Sequence, residues 1–396
     1  MPETVLKNGV TVISRPLARL RSCALGLWLE NGVRHQADGQ DGFAHLLEHL
    51  LLRDESLQLR FEAMGGQINA ETGRELTALY GLVPAVHAYE LAELFGACLC
   101  DLHLSRPEFE AEKQVVLRER ASAMSSPLEC IEEQALGLAW RDHSLGWPIL
   151  GADTALAGAD WTALNAYLKM VRVGRRLAVV AVGNIDHATL IEACERLLAL
   201  PEGVRPVHTA PSFHPNRYVA AASGQVYLQW LMPAPTVGSS CYTAVLVAHH
   251  IVAGGMASRL YRELRQRRGW VYLLHGDLEF FSDAALWKLQ LACDAKFLDR
   301  CEAQVQQVLT DVIAEGPTAS ELDLAKRHLA ARLVLADDDA SSLMRRLARE
   351  HFYLGRHPSI DEYLAMLSDV DAATVRELIV EAWRNRLTVV ADGGEL

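Results

Sequence analysis

Gly42-Phe43-Ala44-His45-Leu46-Leu47-Glu48-His49-Leu50-Leu51-Leu52 is an apolar run interrupted by three polar side chains. It reads as a buried helix on which His45 and His49 stand one turn apart on one face, with Glu48 in the same arc. A lone histidine on an apolar helix is usually a hydrogen-bonded core residue. Two histidines and a carboxylate on one face are costly to bury without a partner, and a metal ion resolves that cost by drawing on their lone pairs. Neutral imidazole is a good zinc ligand, and a catalytic zinc site needs a third protein ligand plus an open position for water. The order H-x-x-E-H is the inverse of H-E-x-x-H, and as a bare pattern it requires the rest of the chain to supply the third ligand.

A second long helix begins near Pro107, and its pattern continues through about residue 140. On it Glu112 and Glu119 are close to two full turns apart and share a face with Val115 and Val116 nearby. A helix rich in Glu, Lys and Arg is by default a solvated face. A two-histidine helix upstream in need of a carboxylate changes that balance, making Glu119 the candidate third ligand and Glu112 a candidate supporting acid.

Strand patterns flank this pair of helices, at 10–14, 23–29, 76–83 and 177–184, with Gly65-Gly66 opening the lead-in Gln67-Ile-Asn-Ala-Glu-Thr72 to the third, and helical spacing covers 87–102, 160–170 and 186–200. Asp160 is a candidate N-cap. Pro201, Pro206, Pro211 and Pro215 mark the best linker in the chain. Beyond it the pattern restarts, with a strand at 225–231, a helix at 242–253, and a last strand at 387–394 whose Leu-Thr-Val-Val-Ala echoes Leu177-Ala-Val-Val-Ala. The expected fold is therefore α+β, two copies of one unit, divided as residues 1–208 and 209–396. The second half lacks the histidine pair: His249 and His250 are adjacent, so their side chains point about 100° apart. Residues 257–267 read as a helix stopped by Gly269, and the basic cluster from Arg262 to Arg268 as a solvated or salt-bridged face.

Composition narrows the function classes. At 50% hydrophobic and 22% charged, the chain is a soluble globular type, and no run of about 18 uncharged apolar residues offers a membrane span. The net charge of −12 argues against nucleic acid, which needs a basic face. No G-x-x-x-x-G-K-[ST] or G-x-G-x-x-G occurs, which argues against nucleotide binding. The eight cysteines form no C-x-x-C and read as free thiols of a reducing compartment. The N-terminal residues lack a basic n-region and an apolar h-region, so the expected compartment is the cytoplasm, unless a signal peptide has been removed.

Several ordered motifs together resemble the M16 family of zinc metallopeptidases, the group of pitrilysin, insulin-degrading enzyme and the mitochondrial processing peptidase. They are His45-x-x-Glu48-His49, Gly65-Gly66-x-x-Asn69-Ala70-x-Thr72, Glu112-x6-Glu119, His143-x3-Trp147-Pro148-Ile149-x-Gly151, and Gly254-Gly255-x2-Ser258-Arg259-Leu260 leading to Arg265-x6-Tyr272. The first is the inverzincin signature. The resemblance spans nearly the whole chain and is closest to the short bacterial members whose chain is half a clamshell. It implies two homologous α/β-sandwich domains of the LuxS/metallohydrolase-like type, each a mixed sheet with helices packed on one face. It also implies one Zn²⁺ per chain, bound by His45, His49 and Glu119, with Glu48 as general base and Glu112 as a supporting acid. Asn69 and Ala70 would lie on an edge strand to which a peptide substrate adds. Arg265 and Tyr272 would bind substrate and stabilise the scissile carbonyl. In the family that last pair comes from the opposite half of the clamshell, so a homodimer with two composite sites is the expected assembly, with a heterodimer with another M16-like subunit as the alternative. The implied activity is zinc-dependent endopeptidase cleavage of peptides or unfolded segments in a closed chamber, either clearing fragments or processing a peptide precursor. A non-catalytic subunit is the contrary reading, and the intact motif residues argue against it. The stretch from Leu50 to Gln58 is shorter than the family's usual loop, which alters the expected substrate entrance.

Overall fold

A computed structural model describes residues 1–103, 105–220 and 224–392. The chain divides into two compact units, each discontinuous in sequence. The first contains 1–122, 147–209 and 336–352, and the second contains 123–146, 210–335 and 353–396.

The first unit is built on a six-stranded sheet of β1 (Glu3–Val5), β2 (Thr11–Pro16), β3 (Ser22–Leu29), β4 (Gln67–Thr72), β5 (Thr77–Pro84) and β6 (Leu177–Gly183), in the order β1-β2-β6-β3-β5-β4. Only β2 and β6 run parallel. The second unit carries β7 (Arg217–Val219), β8 (Gln225–Pro233), β9 (Val271–Phe280), β10 (Ala285–Asp294) and β11 (Leu387–Ala391), in the order β7-β11-β8-β10-β9. Its one parallel pair is β7 with β11. Without β1, both sheets follow one connectivity: first strand, last, second, fourth, third. The two Leu-x-Val-Val-Ala strands, β6 and β11, occupy the same place in it. The match in topology supports the duplication read from that pentapeptide. Of the strand expected over 387–394, Leu387–Ala391 is formed, while Gly393 and Gly394 lie outside the described residues.

In the first unit the main core lies between one face of the sheet and the helices α1 (Phe43–Leu51), α2 (Glu55–Ala63), α3 (Ala88–Cys100) and α4 (Arg106–Ala123). Cys23, Leu25, Leu27 and Leu29 of β3 point into it. The alternate residues of β3 are buried as well, because the helix Ala340–Leu354 crosses the other face. A Cβ at Gly26 would meet Met344 Sδ at 2.9 Å. The second unit repeats this arrangement. Val226, Leu228, Trp230 and Met232 of β8 face the main core, while Tyr227 and Leu231 pack with Ile131, Ala135 and Leu136 of α5 (Pro127–Ala139). Coverage on both faces explains why the central strands read as continuous apolar runs.

Two helix expectations need correction. The helix read as continuous to about residue 140 is two, α4 and α5, divided where Ser126 takes an extended conformation before Pro127. Proline disfavours helical backbone in the residue before it but fits the first helical turn. The helix read over 186–200 is α-helical over His187–Ala193 and 3₁₀ over Glu195–Ala199. Asp160 caps its helix as expected, accepting from the N–H groups of Thr162 and Ala163.

Candidate metal centre

The first turn of α1 is fixed by two glycines. Gly42 (φ 83°) and Gly151 (φ 77°) are packed so closely that a Cβ on Gly151 would sit 2.8 Å from Gly42 Cα. Trp147, in the same motif as Gly151, accepts a 2.6 Å hydrogen bond from Arg74 through its carbonyl. The Trp147-to-Gly151 segment thus seats the start of α1, a role its sequence does not disclose.

On α1 the His45 and His49 rings stand 4.7 Å apart, edge to face. Glu119 of α4 reaches both, its Oε2 lying 3.8 Å from His45 Nε2 and 3.2 Å from His49 Nε2. One donor atom from each of His45, His49 and Glu119 can be chosen so that all lie within 4.8 Å of one another. The other nitrogen of His49, Nδ1, is 3.5 Å from Glu112 Oε2. Glu112 therefore backs a donor group without joining the set, and Arg53 holds it in turn, Nε to Oε1 at 3.0 Å. Nothing in the spacing of the sequence pointed to Arg53.

Electrostatics distinguish the two other polar groups of α1. Burial, reinforced by neighbouring His49, holds His45 down at about 4, so its imidazole is neutral at pH 7 and keeps a lone pair for a cation. Burial pushes the Glu48 carboxyl above its ordinary range, against a hydrogen bond with Thr72 that favours the anion. A carboxylate raised in this way is a stronger base. Thr72 is the last residue of the motif that runs from Gly65 into β4.

Asn69 and Ala70 lie on β4, at the open edge of the first sheet. The Ala70 N–H donates to Asn69 Oδ1 at 2.9 Å. A cleft of about 1210 Å³ joins this edge to the donor set, its walls including Glu48, His49, Arg53, Asn69, Ala70 and Glu112.

Arg265 and Tyr272 belong to the second unit. Arg265 sits in a π-helical stretch, Tyr261–Arg267, where an ordinary helix was expected, and donates to the Val271 carbonyl at 2.6 Å. Tyr272 is the second residue of the edge strand β9 and is 45% exposed. Burial of its hydroxyl and a hydrogen bond with Tyr227 push the phenol up, so it remains protonated at neutral pH. Arg259, from the same motif, is structural: it forms a two-point pair with Glu321 at 2.8 and 2.7 Å.

Comparison with known proteins agrees with this architecture. Residues 11–153 match the family described as "Insulinase (Peptidase family M16)", and residues 162–329 match "Peptidase M16 inactive domain". The chain belongs to the M16 peptidase family. It is 29% identical over 393 residues to an uncharacterized zinc protease of Mycobacterium tuberculosis, covering 95% of this chain and 88% of that one. It is 25% identical to an uncharacterized zinc protease of Bacillus subtilis over 98% of both. Among solved structures, a protease from Helicobacter pylori superposes with a TM-score of 0.89 at 18% identity, over 98% of both chains. A chain of complex III2 from Candida albicans does so with 0.87 at 19% identity, covering 100% of this chain and 97% of that one. These likenesses show the shared fold.

Proposed function

We propose that this protein is a zinc-dependent endopeptidase acting on extended peptides or unfolded segments. The observation that supports it is one constellation: two imidazoles and a carboxylate within 4.8 Å, a half-buried Glu48 beside them, and an open sheet edge on the same cleft. The donor set suits zinc, being of N and O type, and His45 is held in the neutral form that ligation needs. His45, His49 and Glu119 would hold one Zn²⁺ per chain. When bound, the metal supplies Lewis-acid polarisation of the scissile carbonyl and makes water more acidic. Glu48 takes the proton of the attacking water and passes it to the leaving amine. Glu112 orients His49, and β4 aligns the peptide by main-chain pairing. In this reading the active form is a homodimer enclosing the substrate, with Arg265 and Tyr272 of a second copy donating to the carbonyl oxygen as it gains charge.

The test is metal analysis joined to a peptide-cleavage assay. Wild type is expected to carry one zinc per chain, and Glu48→Gln to retain it while losing cleavage. A wild-type protein that binds no zinc at neutral pH would overturn the proposal.

A further inference from the structure

A second donor set lies in the first unit, made of residues outside α1 and α4. Glu30 follows β3, His35 ends the 3₁₀ turn Val33–His35, and His208 sits on the proline-bearing stretch after residue 200. One donor atom from each lies within 4.8 Å of the others, the same limit that His45, His49 and Glu119 meet. The His35 and His208 rings are 4.9 Å apart, edge to face. Both ring nitrogens of His35 are shielded from solvent, and neither has a hydrogen-bond partner. An enclosed imidazole with two unanswered nitrogens is costly, and no local motif accounts for it.

For His35 and Glu30 the protonation states are those ligation requires. Burial, followed by the charges of Arg176 and His208, holds His35 well below its ordinary range, so it is neutral. For Glu30, burial alone would raise the carboxyl, but hydrogen bonds from His208 and Arg205 outweigh it and bring the group to about 2. Three other cations surround the set. Arg34 is matched by Glu75 at 2.7 Å, and Arg176 donates its Nε to the Glu30 main-chain carbonyl at 2.9 Å. Arg205 is the direct competitor, donating to Glu30 Oε2 and Oε1 at 2.7 and 3.0 Å. Its side chain is 44% exposed against 8% for Glu30, so the arginine can turn out into water while the carboxylate stays in place.

We propose that Glu30, His35 and His208 form a second divalent transition-metal site, of zinc type, that fastens the proline-bearing stretch to the first unit. Two imidazoles and a carboxylate are a recognised donor set for such ions. The ligands come from separated segments, one of them far along the chain, so a bound ion closes a long loop and acts as a structural staple. Arg205 and the ion exclude each other, which makes this the weaker of the two sites.

The experiment uses the full chain carrying His45→Ala and His49→Ala, which disables the set on α1. Titration with Zn²⁺ by calorimetry and with Co²⁺ by visible absorption should show one further equivalent with nitrogen-ligand bands. Adding His35→Gln or His208→Ala should weaken that equivalent at least about tenfold, and adding Arg205→Ala should tighten it. Circular dichroism confirms that each variant is folded, and His208, half-buried on an irregular stretch, is the substitution least damaging to the core. Absence of the further equivalent in both the background protein and its Arg205→Ala derivative would overturn the proposal. So would binding that neither histidine substitution changes. The readout is independent of peptide cleavage, so it stands or falls apart from the endopeptidase reading.

Discussion

His49 faces two carboxylates that do different work. Glu119 meets the nitrogen turned toward His45, and Glu112 meets the other. Losing the supporting partner of a metal-binding imidazole typically costs about 10–100-fold in affinity or activity. Glu112→Gln is therefore expected to lower kcat/KM by that order while leaving measurable zinc, whereas Glu119→Gln should remove the metal. Inductively coupled plasma analysis beside cleavage kinetics separates the two. In the second unit, Glu321 shows how one residue sets acid stability. Burial would raise its carboxyl, but hydrogen bonds from Arg259 and the Thr318 N–H outweigh this and hold it at about 2. The folded value lies below the unfolded one of about 4.3, so the stabilisation is complete above that unfolded value and lost as pH falls toward 2. Glu321→Gln should cost on the order of 1.5 kcal/mol at pH 7, a deficit that shrinks in denaturant melts as the pH is lowered from 5 to about 2. The residues legible in the sequence, His45 with His49 and Glu112 with Glu119, share a property: helical spacing puts each pair on one face, and the histidine pair's need for a carboxylate singles out the second pair. Arg53, Thr72 and the Glu30, His35 and His208 set have no such period, because tertiary folding brings them together.

At the scale of elements, the open edge of β4 is the feature with most bearing on substrate. A bare strand edge invites pairing, and here the Ala70 N–H is answered by its own neighbour, Asn69. In the proposed peptidase an arriving peptide would have to displace that side chain to gain the bond. Ala70→Pro removes the donor, and edge strands tolerate proline better than central ones. It is expected to raise KM by up to about tenfold, the worth of one such hydrogen bond, with zinc content unchanged. Steady-state kinetics on an unstructured peptide would check it; an unaltered KM would argue against strand addition at this position. Strands β3 and β6 were legible because burial on both faces leaves an unbroken apolar run, which in β8 Gln229 interrupts. The break between α4 and α5 falls at Ser126-Pro127, a local signal that the helical pattern on either side masks. The π-helical turn under Arg265 had no signal at all: its residues are ordinary helix formers, and only the wider hydrogen-bond ring distinguishes it.

For the whole molecule, the repeated strand order is the firmest architectural fact, and a single echoed pentapeptide was its trace in the sequence. The donor set lies in one unit and the Arg265–Tyr272 pair in the other. The proposed homodimer makes a direct prediction from this division. Glu48→Gln and Arg265→Ala chains, each inactive alone, should regain cleavage when mixed under exchange, because a mixed dimer holds one intact site. No recovery with exchange demonstrated by native mass spectrometry would refute a site shared between copies.

The interleaving of the two units along the chain also bears on how the protein is made. The first sheet is complete in sequence at Gly183, yet the helix bearing Met344 and Arg345, which covers its second face, is not encoded until Ala340. Arg345 there pairs with Glu71 at 2.7 Å and lies over the Tyr80 ring. At ribosomal speeds of 5–20 residues per second, the first unit waits roughly ten to thirty seconds for its covering helix. A sheet formed in that interval would have one face uncovered. That interval exposes apolar surface the finished protein covers, and slowing translation beyond residue 183 should lower its soluble yield.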